Sequence, residues 1–427
     1  MKVVVAGGGL AGLVATRHLA DAGLDVTLFE RESEIGGRVR SSHEDGFVLD
    51  RGFQVLFPSY PATQRELDLD SLSLRAFRPG ATLVRPGERT TLADPLRDPG
   101  ALLSTLFNRD VTLGDKLRVL RLRRELAGKS LNDLDTATEM SIEEYLDERG
   151  FSDRFCDRFA TPFYGGITLD RSLSSSAFVF EYTFKMLTAG PAAVPASGMG
   201  AITDQLVESA RNAGATIETG TPVEAVEPTD GTISGGAVVE TPLETIETDA
   251  AVVATDPPTA STLTGVNSIP TKAHGCVTQY FSVPKTQRLE GSDRLLLNVA
   301  DARPNQVAVL SAVAPEYAPD ETHLLSATFL GEQSATDEEL AEAVQAALGA
   351  WFPENQFEAL ELLRTDRIPF AQLAQPPGFG REWPNVDAPS GPVYLAGEYT
   401  EWSSIQGALD SGREAAEAIQ RDGIAGS

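Results

Sequence analysis

The chain of 427 residues is too long for one hydrophobic core, so we expect two or three packed units. Hydrophobic residues make up 41% and charged residues 23%, which excludes wholesale disorder, and no apolar stretch approaches the roughly 20 residues of a membrane-spanning helix. The two cysteines, Cys156 and Cys276, form no CxxC pair, so we expect no disulfide scaffold, metal site or dithiol redox centre.

The net charge of −27 comes from 62 acidic and 35 basic residues that are spread along the chain. A surface this acidic repels nucleic acid, so we expect no nucleic-acid partner. A partner-binding surface would predict a clustered acidic tail; the even spread instead favours adaptation to high salt, where ions screen self-repulsion. The first residues belong to the fold and show no separate leader pattern, so we expect a cytoplasmic protein.

The N-terminal segment predicts a nucleotide-binding unit. A β-branched strand over residues 2–6 leads into the glycine-rich turn 7–12, and a helical pattern follows. A second strand over 25–29 ends at Glu30. This order of strand, G-x-G-x-x-G, helix, strand and acid is typical of dinucleotide-binding domains.

Each residue of this motif has a physical task. Gly7 permits the tight turn, Gly9 lets a pyrophosphate approach the backbone, and Gly12 lets helix and strand pack closely. The helix N-terminus at Leu10 and Ala11 presents free N–H groups to the phosphates. The carboxylate of Glu30 can accept both ribose hydroxyls and would repel a 2′-phosphate, which disfavours NADP.

The next residues carry a family resemblance. Glu30-Arg31 and Gly36-Gly37-Arg38 follow the motif directly. With them the chain resembles the flavoprotein superfamily of amine oxidases, phytoene-type desaturases and protoporphyrinogen oxidases. The resemblance implies FAD as the cofactor and places Arg38 on its pyrophosphate. The acidic composition, in turn, resembles that of proteins from extremely halophilic archaea.

Three later segments resemble the same superfamily. Residues 49–55 are similar to the loop that brings a glycine against the flavin ring, here Gly52 beside Phe53. Residues 221–226 look like the strand whose Val223 backbone meets the adenine.

The C-terminal segment is the most specific match, because residues 393–400 and 404–412 resemble the closing motif of the family, a strand followed by a helix whose N-terminus faces the flavin. The cofactor contacts that this segment implies are Gly397, Glu398, Ile405 and Gly407.

Together these matches predict an α/β fold, a Rossmann-like FAD-binding domain with an inserted α+β substrate domain. We expect the FAD-binding domain to be assembled from residues 1–80, 195–264 and 385–427. The insertion 81–194 is expected to be helical, and the insertion 265–384 to form a mixed sheet.

Local patterns within the second insertion are specific enough to name elements. Alternating apolar residues predict strands over 276–283, 306–312 and 323–330. The sequence 336–339 is a capping box that opens a helix ending before Pro353, whose apolar stripe we expect to be core packing.

No catalytic side chain stands out. The histidines His18, His274 and His323 lie in predicted helices or strands, where a structural role is the default. The insertions contain no second glycine-rich nucleotide motif, so we expect an external electron acceptor, oxygen or a quinone, instead of NAD(P)H.

The resemblance implies an FAD-dependent oxidoreductase, and three substrate classes remain open. Aromatic residues over 151–184 favour a small, apolar, isoprenoid or carotenoid-like substrate that loses a hydride to the flavin. The sequence 396–400 favours amine oxidation, with Lys272 or Lys285 as the lysine that acts through water. Protoporphyrinogen is the third substrate. A flavin-binding scaffold without activity is the alternative from another class.

Residues 101–130 carry seven basic and three acidic residues, a local charge of +4 in an acidic chain. Within the predicted helix 113–126, Leu113, Leu117 and Leu120 share one face. The segment is therefore either a reversible peripheral membrane contact or a solvated helix whose arginines pair with the acidic surface.

Overall fold

The computed structural model describes residues 1–93, 108, 110–229 and 236–425. Its strands are, in chain order, β1 (Lys2–Ala6), β2 (Asp25–Phe29), β3 (Ser41–Glu44), β4 (Phe47–Asp50), β5 (Leu74–Ala76), β6 (Ala81–Arg85), β7 (Glu88–Leu92), β8 (Ala193–Pro195), β9 (Thr216–Glu218), β10 (Ala225–Pro228), β11 (Ala237–Glu240), β12 (Thr245–Thr248), β13 (Ala250–Val253), β14 (Ala273–Pro284), β15 (Leu295–Asn298), β16 (Gln306–Val309), β17 (Thr322–Leu330), β18 (Glu361–Leu373) and β19 (Val393–Leu395).

The helices of the same residues are α1 (Leu10–Asp21), α2 (Pro61–Glu66), α3 (Leu113–Gly128), α4 (Ile142–Glu148), α5 (Asp153–Phe155), α6 (Thr161–Thr168), α7 (Ala177–Ala189), α8 (Gly200–Asn212), α9 (Pro257–Thr264), α10 (Leu310–Val313), α11 (Asp337–Trp351), α12 (Phe379–Glu382) and α13 (Ile405–Ala425). Within the described part of the chain, no helix combines the length and the apolar character that crossing a membrane requires.

A five-stranded parallel sheet with the order β19-β13-β1-β2-β9 forms the nucleotide-binding unit. Its strands come from three separated stretches of the chain, and α1 packs between the sheet, α8 and α13. The central strands β1 and β13 are buried on both faces, as their continuous apolar sequences require. The predicted Rossmann-like α/β fold is confirmed.

A seven-stranded mixed sheet with the order β18-β14-β17-β16-β15-β6-β7 forms the second unit. One face packs on α11, whose stripe of Leu340, Val344, Leu348 and Trp351 is buried. The predicted capping box opens this helix: the Thr336 hydroxyl accepts a hydrogen bond from the Glu339 N–H, and the Glu339 carboxylate accepts one from the Thr336 N–H. The stripe is therefore core packing, as predicted.

The structure corrects the prediction that the insertion 81–194 is helical. It opens with β6 and β7, which complete the edge of the large sheet, and only the later described residues are helical. The parallel pairing of β6 with β15 joins residues more than two hundred positions apart, so local sequence patterns contain no sign of it.

Two predicted strands are shorter than expected. The stretch 306–312 leaves the sheet after Val309, because the Ser311 hydroxyl accepts the Leu324 N–H in place of a ladder bond. The stretch 221–226 becomes a strand only at Ala225, since the Thr221 N–H bonds to the Glu30 carbonyl and the following proline has no N–H.

Candidate functional site

One cavity of about 1160 Å³ extends from the glycine-rich turn to the helices α3, α6 and α7. All but two of the residues predicted to bind the cofactor line it, namely Gly7, Gly9, Leu10, Ala11, Glu30, Arg31, Gly36, Gly37, Arg38, Gly52, Phe53, Val223, Gly397, Glu398 and Ile405. We call the part of the cavity between these residues the cradle. Segments far apart in the sequence thus meet along one surface.

The two exceptions are Gly12 and Gly407, which lie behind the cradle. A Cβ atom on Gly12 would sit 2.0 Å from the Gly7 carbonyl oxygen, and one on Gly407 would sit 2.1 Å from the Trp402 carbonyl oxygen. Both glycines therefore allow close backbone packing and do not face the cavity. Gly7 itself has a φ of +108°, which only glycine adopts readily.

Glu30 fixes the glycine-rich turn from the end of β2. Its Oε2 accepts a hydrogen bond of 2.7 Å from the Gly8 N–H, and its Oε1 accepts one of 2.9 Å from the Glu32 N–H. Each carboxylate oxygen retains a second lone pair for a ligand hydroxyl. Gly8 also lines the cavity but was not predicted to be part of the site. Its position between Gly7 and Gly9 in the motif would have been sufficient to predict it.

Arg38 and Glu398 bring two distant motifs together. Arg38 Nη1 lies 2.6 Å from Glu398 Oε1, and the same nitrogen donates to the Ala371 carbonyl at 3.2 Å. The contact is an ion pair without hydrogen-bond geometry: the buried Oε1 of Glu398 accepts no directed hydrogen bond from the described residues. The carboxylate of Glu398 is thus buried with unused hydrogen-bonding capacity.

The loop that carries Gly52 is held by the large sheet. The Gly52 N–H donates to Asp366 Oδ2 at 3.1 Å, while Tyr280 Oη and Arg364 Nη2 donate to the Asp50 carbonyl oxygen. Burial raises the pKa of the Asp50 carboxyl to about 6, although its hydrogen bonds oppose the shift. The loop is therefore rigidly placed between the two sheets.

The end of β13 is a part of the cradle that the sequence analysis missed. Ala254, Thr255 and Asp256 line the cavity, and Asp256 Oδ2 lies 3.6 Å from Arg31 Nη1. Ligands of parallel α/β sheets bind at the carboxyl ends of the strands. The run of small and β-branched apolar residues that leads to Asp256 was the available signal, because such a run is typical of a buried parallel strand.

Beyond the cradle the cavity is lined by aromatic rings. Phe159 and Phe163 stack with ring centroids 5.2 Å apart, and Phe180 and Phe184 stack at 5.7 Å. These four rings line the cavity together with Tyr164. We call this surface the aromatic wall; it offers dispersion and exclusion of water to an apolar ligand.

Candidate acid–base groups lie elsewhere. None of the four histidines, all of which the structure describes, lines the cavity, and His18 instead hydrogen-bonds Glu66 at 2.9 Å. Lys272 and Lys285 do not line it either. Cys276 does, and burial raises the pKa of its thiol to about 11, so it is neutral at ordinary pH.

The comparison with known families decides the class of protein. Residues 10–420 match the family of flavin containing amine oxidoreductases. The chain belongs to this family. As a flavin containing amine oxidoreductase it is an FAD-dependent enzyme.

Curated relatives of this oxidoreductase match only parts of it. A carotenoid 3,4-desaturase of Haloarcula japonica is 28% identical over 263 residues, 52% of this chain and 50% of the relative. Protoporphyrinogen oxidase 2 of Arabidopsis thaliana is 27% identical over 165 residues, 39% of this chain and 32% of the relative. The matches thus cover half or less of the length of these relatives.

Solved structures resemble the oxidoreductase over its whole length. An oxidoreductase from Methanosarcina mazei has a TM-score of 0.73 at 19% identity, covering 98% of this chain and 100% of the other. A putrescine oxidase bound to putrescine has a TM-score of 0.72 at 19% identity, covering 99% of both chains. At this identity the likeness shows the shared fold.

The cradle of the oxidoreductase fits FAD in three respects. A Cβ atom on Gly9 would meet no atom within 4 Å, so the backbone there is open to a pyrophosphate. Glu30 has lone pairs for ribose hydroxyls, and Oε1 of Glu398, which is ion-paired with Arg38 but accepts no directed hydrogen bond from a described residue, can accept a further hydroxyl. The chemistry that FAD supplies when bound is the acceptance of a hydride.

Proposed function

We propose that the protein oxidises or desaturates a largely apolar, isoprenoid or carotenoid-like substrate by hydride transfer to FAD. The observation that carries this proposal is the continuity of the cradle with the aromatic wall in one cavity. The aromatic side chains hold the substrate and exclude water from it. The carotenoid 3,4-desaturase, among the matched relatives, supports the same substrate class.

The proposal includes the cofactor contacts named from the sequence. Glu30 would bind the ribose, Arg38 the pyrophosphate, and Glu398 a hydroxyl of the ribityl or pyrophosphate region. Gly52 and Ile405 would lie against the flavin ring. Oxygen or a quinone would serve as external electron acceptor, because the sequence contains no second glycine-rich nucleotide motif.

Anaerobic reduction of the bound flavin tests the proposal. We expect an acyclic polyene to bleach the flavin absorbance, and a diamine such as putrescine to leave it unchanged. Reduction by the amine alone would overturn the proposal in favour of amine oxidation. A flavin that no member of a broad panel reduces would indicate a scaffold.

Protoporphyrinogen is the second candidate substrate. Lys116 and Arg123 line the cavity on α3, where they would suit the carboxylates of a porphyrin. The same anaerobic experiment with protoporphyrinogen distinguishes the two candidates. Amine oxidation is less well supported, because neither Lys272 nor Lys285 reaches the cavity.

We also propose that α3 makes a reversible peripheral contact with anionic lipid at the cavity mouth. Leu113, Leu117 and Leu120 are 68%, 61% and 45% exposed, and all three line the cavity. Arg121 and Arg124 are exposed beside them and form no ion pair with a described residue. Residues 101–107 and 109 of the predicted contact segment lie outside the described part of the chain.

Liposome flotation tests this contact. Leu117→Gln combined with Leu120→Gln should reduce the fraction of protein that floats with anionic vesicles, because the exposed apolar face is lost. Leu243→Gln is the matched control, since Leu243 is also exposed but does not line the cavity. Equal flotation of all variants would leave α3 as a solvated helix.

Finally, we propose that the acidic surface adapts the protein to high salt. One matched relative comes from Haloarcula japonica, and the charge of −27 supports the same interpretation. Circular dichroism and flavin release should show loss of helix and cofactor at very low ionic strength. Full retention of both would contradict this proposal.

A further inference from the structure

Two polar side chains stand side by side in the sheet wall of the otherwise largely apolar cavity. Gln306 on β16 and Thr328 on β17 are directly paired across the antiparallel strands, and both line the cavity. They are only 3% and 2% exposed. Directly opposed residues of such a pair have Cβ atoms about 5 Å apart, so both can reach one ligand atom.

A chain of hydrogen bonds fixes the orientation of the Gln306 amide. Arg171 Nη1 donates to Asn305 Oδ1 at 2.7 Å, which directs the Asn305 amide nitrogen away from the arginine. That nitrogen donates to the Pro162 carbonyl at 3.1 Å and to Gln306 Oε1. If the Gln306 amide were rotated by 180°, its nitrogen would face the Asn305 amide nitrogen, and two donors would oppose each other. The Gln306 amide oxygen must therefore face Asn305.

This orientation leaves the Gln306 Nε2 group for the cavity. Among the described residues it has no hydrogen-bond partner, while Oε1 is occupied by Asn305. The neighbouring Thr328 Oγ1 is buried and likewise without a partner in the described part of the chain. The Thr328 hydroxyl is thus buried without a described partner, and a ligand in the cavity that accepts from it and from Gln306 Nε2 would complete both groups.

We propose that Gln306 Nε2 and Thr328 Oγ1 bind a neutral oxygen atom of the substrate, a hydroxyl or a carbonyl. Both groups can donate, so their common partner is an acceptor. Arg171, the nearest cation in this chain of bonds, is engaged by Asn305 and does not line the cavity, so a carboxylate is not the matching ligand.

This inference rests on the proposed function and narrows it. The substrate is then an oxygenated isoprenoid whose apolar chain lies along the aromatic wall and whose oxygen meets the pair on the sheet. A pure hydrocarbon would leave both groups unpaired, which selects against it.

Equilibrium dialysis of the FAD-loaded protein against farnesol, or against the hydrocarbon of the same carbon skeleton, tests the inference without requiring turnover. We expect the wild-type protein to bind the alcohol about tenfold more tightly. Thr328→Val and Gln306→Leu keep the side-chain volume and should each reduce this preference to about threefold or less.

Thr278→Val is the matched control. Thr278 pairs with Thr328 on the next strand and is equally buried with an unpartnered hydroxyl, but it does not line the cavity. Its substitution should leave the preference for the alcohol unchanged. A loss of preference equal to that in Thr328→Val would show a structural effect and overturn the inference.

Two further outcomes separate the alternatives. If Thr328→Val and Gln306→Leu shift the flavin absorbance while the preference for the alcohol persists, the pair serves the flavin and the inference is wrong. The inference also fails if the wild-type protein shows no preference or does not bind the alcohol. A clear preference without flavin reduction by any isoprenoid would overturn the proposed function alone.

Discussion

The cradle and the aromatic wall line the same cavity, but backbone groups form most of one surface and side chains form the other. The cradle is made mainly of backbone at the carboxyl ends of parallel strands, where Gly7 turns the chain and Gly9 leaves it open. The aromatic wall is made of side chains from α6, from the helical turn before it and from α7, with rings stacked in pairs.

This difference predicts different responses to substitution. A cradle residue is fixed by backbone conformation and close packing, so even one added methyl group can displace a strand. A wall residue is fixed by volume and polarity, so a similar side chain preserves the fold and changes what binds.

The largest effect should come from adding a methyl group behind the cradle. Gly12→Ala places Cβ 2.0 Å from the Gly7 carbonyl oxygen, and we expect the apoprotein to lose about 3 kcal/mol of unfolding free energy. Gly9→Ala is the matched change, because the added Cβ atom would have no atom within 4 Å. It should alter apoprotein stability by less than about 1 kcal/mol but weaken FAD binding. Denaturant unfolding and flavin titration measure both; equal destabilisation would contradict the comparison.

The stabilisation that Glu66 provides through its pairs with Arg17 and His18 of α1 should depend on pH. Burial would raise the pKa of the Glu66 carboxyl, but hydrogen bonds from His18 and Arg65 outweigh it and lower this pKa to about 2. Because the folded pKa lies below the ordinary 4.5, the ion pairs stabilise the fold above pH 4.5, and this contribution is lost as the pH falls towards 2.

Glu66→Gln should therefore lower the unfolding free energy by about 3 kcal/mol at pH 7, and the difference from wild type should narrow below pH 4.5. Glu417→Gln is the control, because Glu417 makes an exposed pair with Arg413 on α13 and should change stability by less than about 0.5 kcal/mol. If the difference in unfolding free energy between Glu66→Gln and wild type stays constant from pH 7 to pH 3, the proposed role of the Glu66 carboxylate is wrong.

Arg38→Ala tests the ion pair with Glu398, which joins the N-terminal and C-terminal parts of the cradle. We expect FAD affinity to fall by about 1.5–3 kcal/mol, because a charge-assisted phosphate contact is lost and Glu398 keeps no cation beside it. Flavin titration of the apoprotein measures the change. Arg381→Ala, at an exposed pair with Glu139, is the control; unchanged affinity in Arg38→Ala would remove Arg38 from the cofactor site.

The smallest effect on the fold should come from the aromatic wall. Phe163→Leu removes a ring stacked on Phe159 and should cost about 1 kcal/mol of stability, with unchanged FAD affinity and severalfold weaker binding of farnesol. Phe281→Leu is the contrast, because Phe281 is buried on the sheet face that meets α11. Phe281→Leu should destabilise the protein without changing the affinity for farnesol. If instead Phe281→Leu weakens farnesol binding and Phe163→Leu does not, the aromatic wall is not the substrate surface.

The sequence by itself determined the parts that depend on contiguous residues. The strand–turn–helix from β1 to α1 and the capping box of α11 lie where their local patterns predicted. The strand β19 and the start of α13 lie within the two C-terminal segments to which the family resemblance assigned a strand and a helix. A glycine at a sharp turn or a capping hydroxyl at a helix start is required by backbone geometry over a few residues, so its signal is local.

Only the tertiary structure decided which distant residues meet. The pairing of β6 with β15, the contact of Arg38 with Glu398, and the placement of Gln306 beside Thr328 each join segments that no periodicity relates. The direction of the Gln306 amide depends on Arg171 through an intervening asparagine. Such contacts arise from packing across the whole fold, and therefore the shape and polarity of the substrate cavity could not be predicted from the sequence alone.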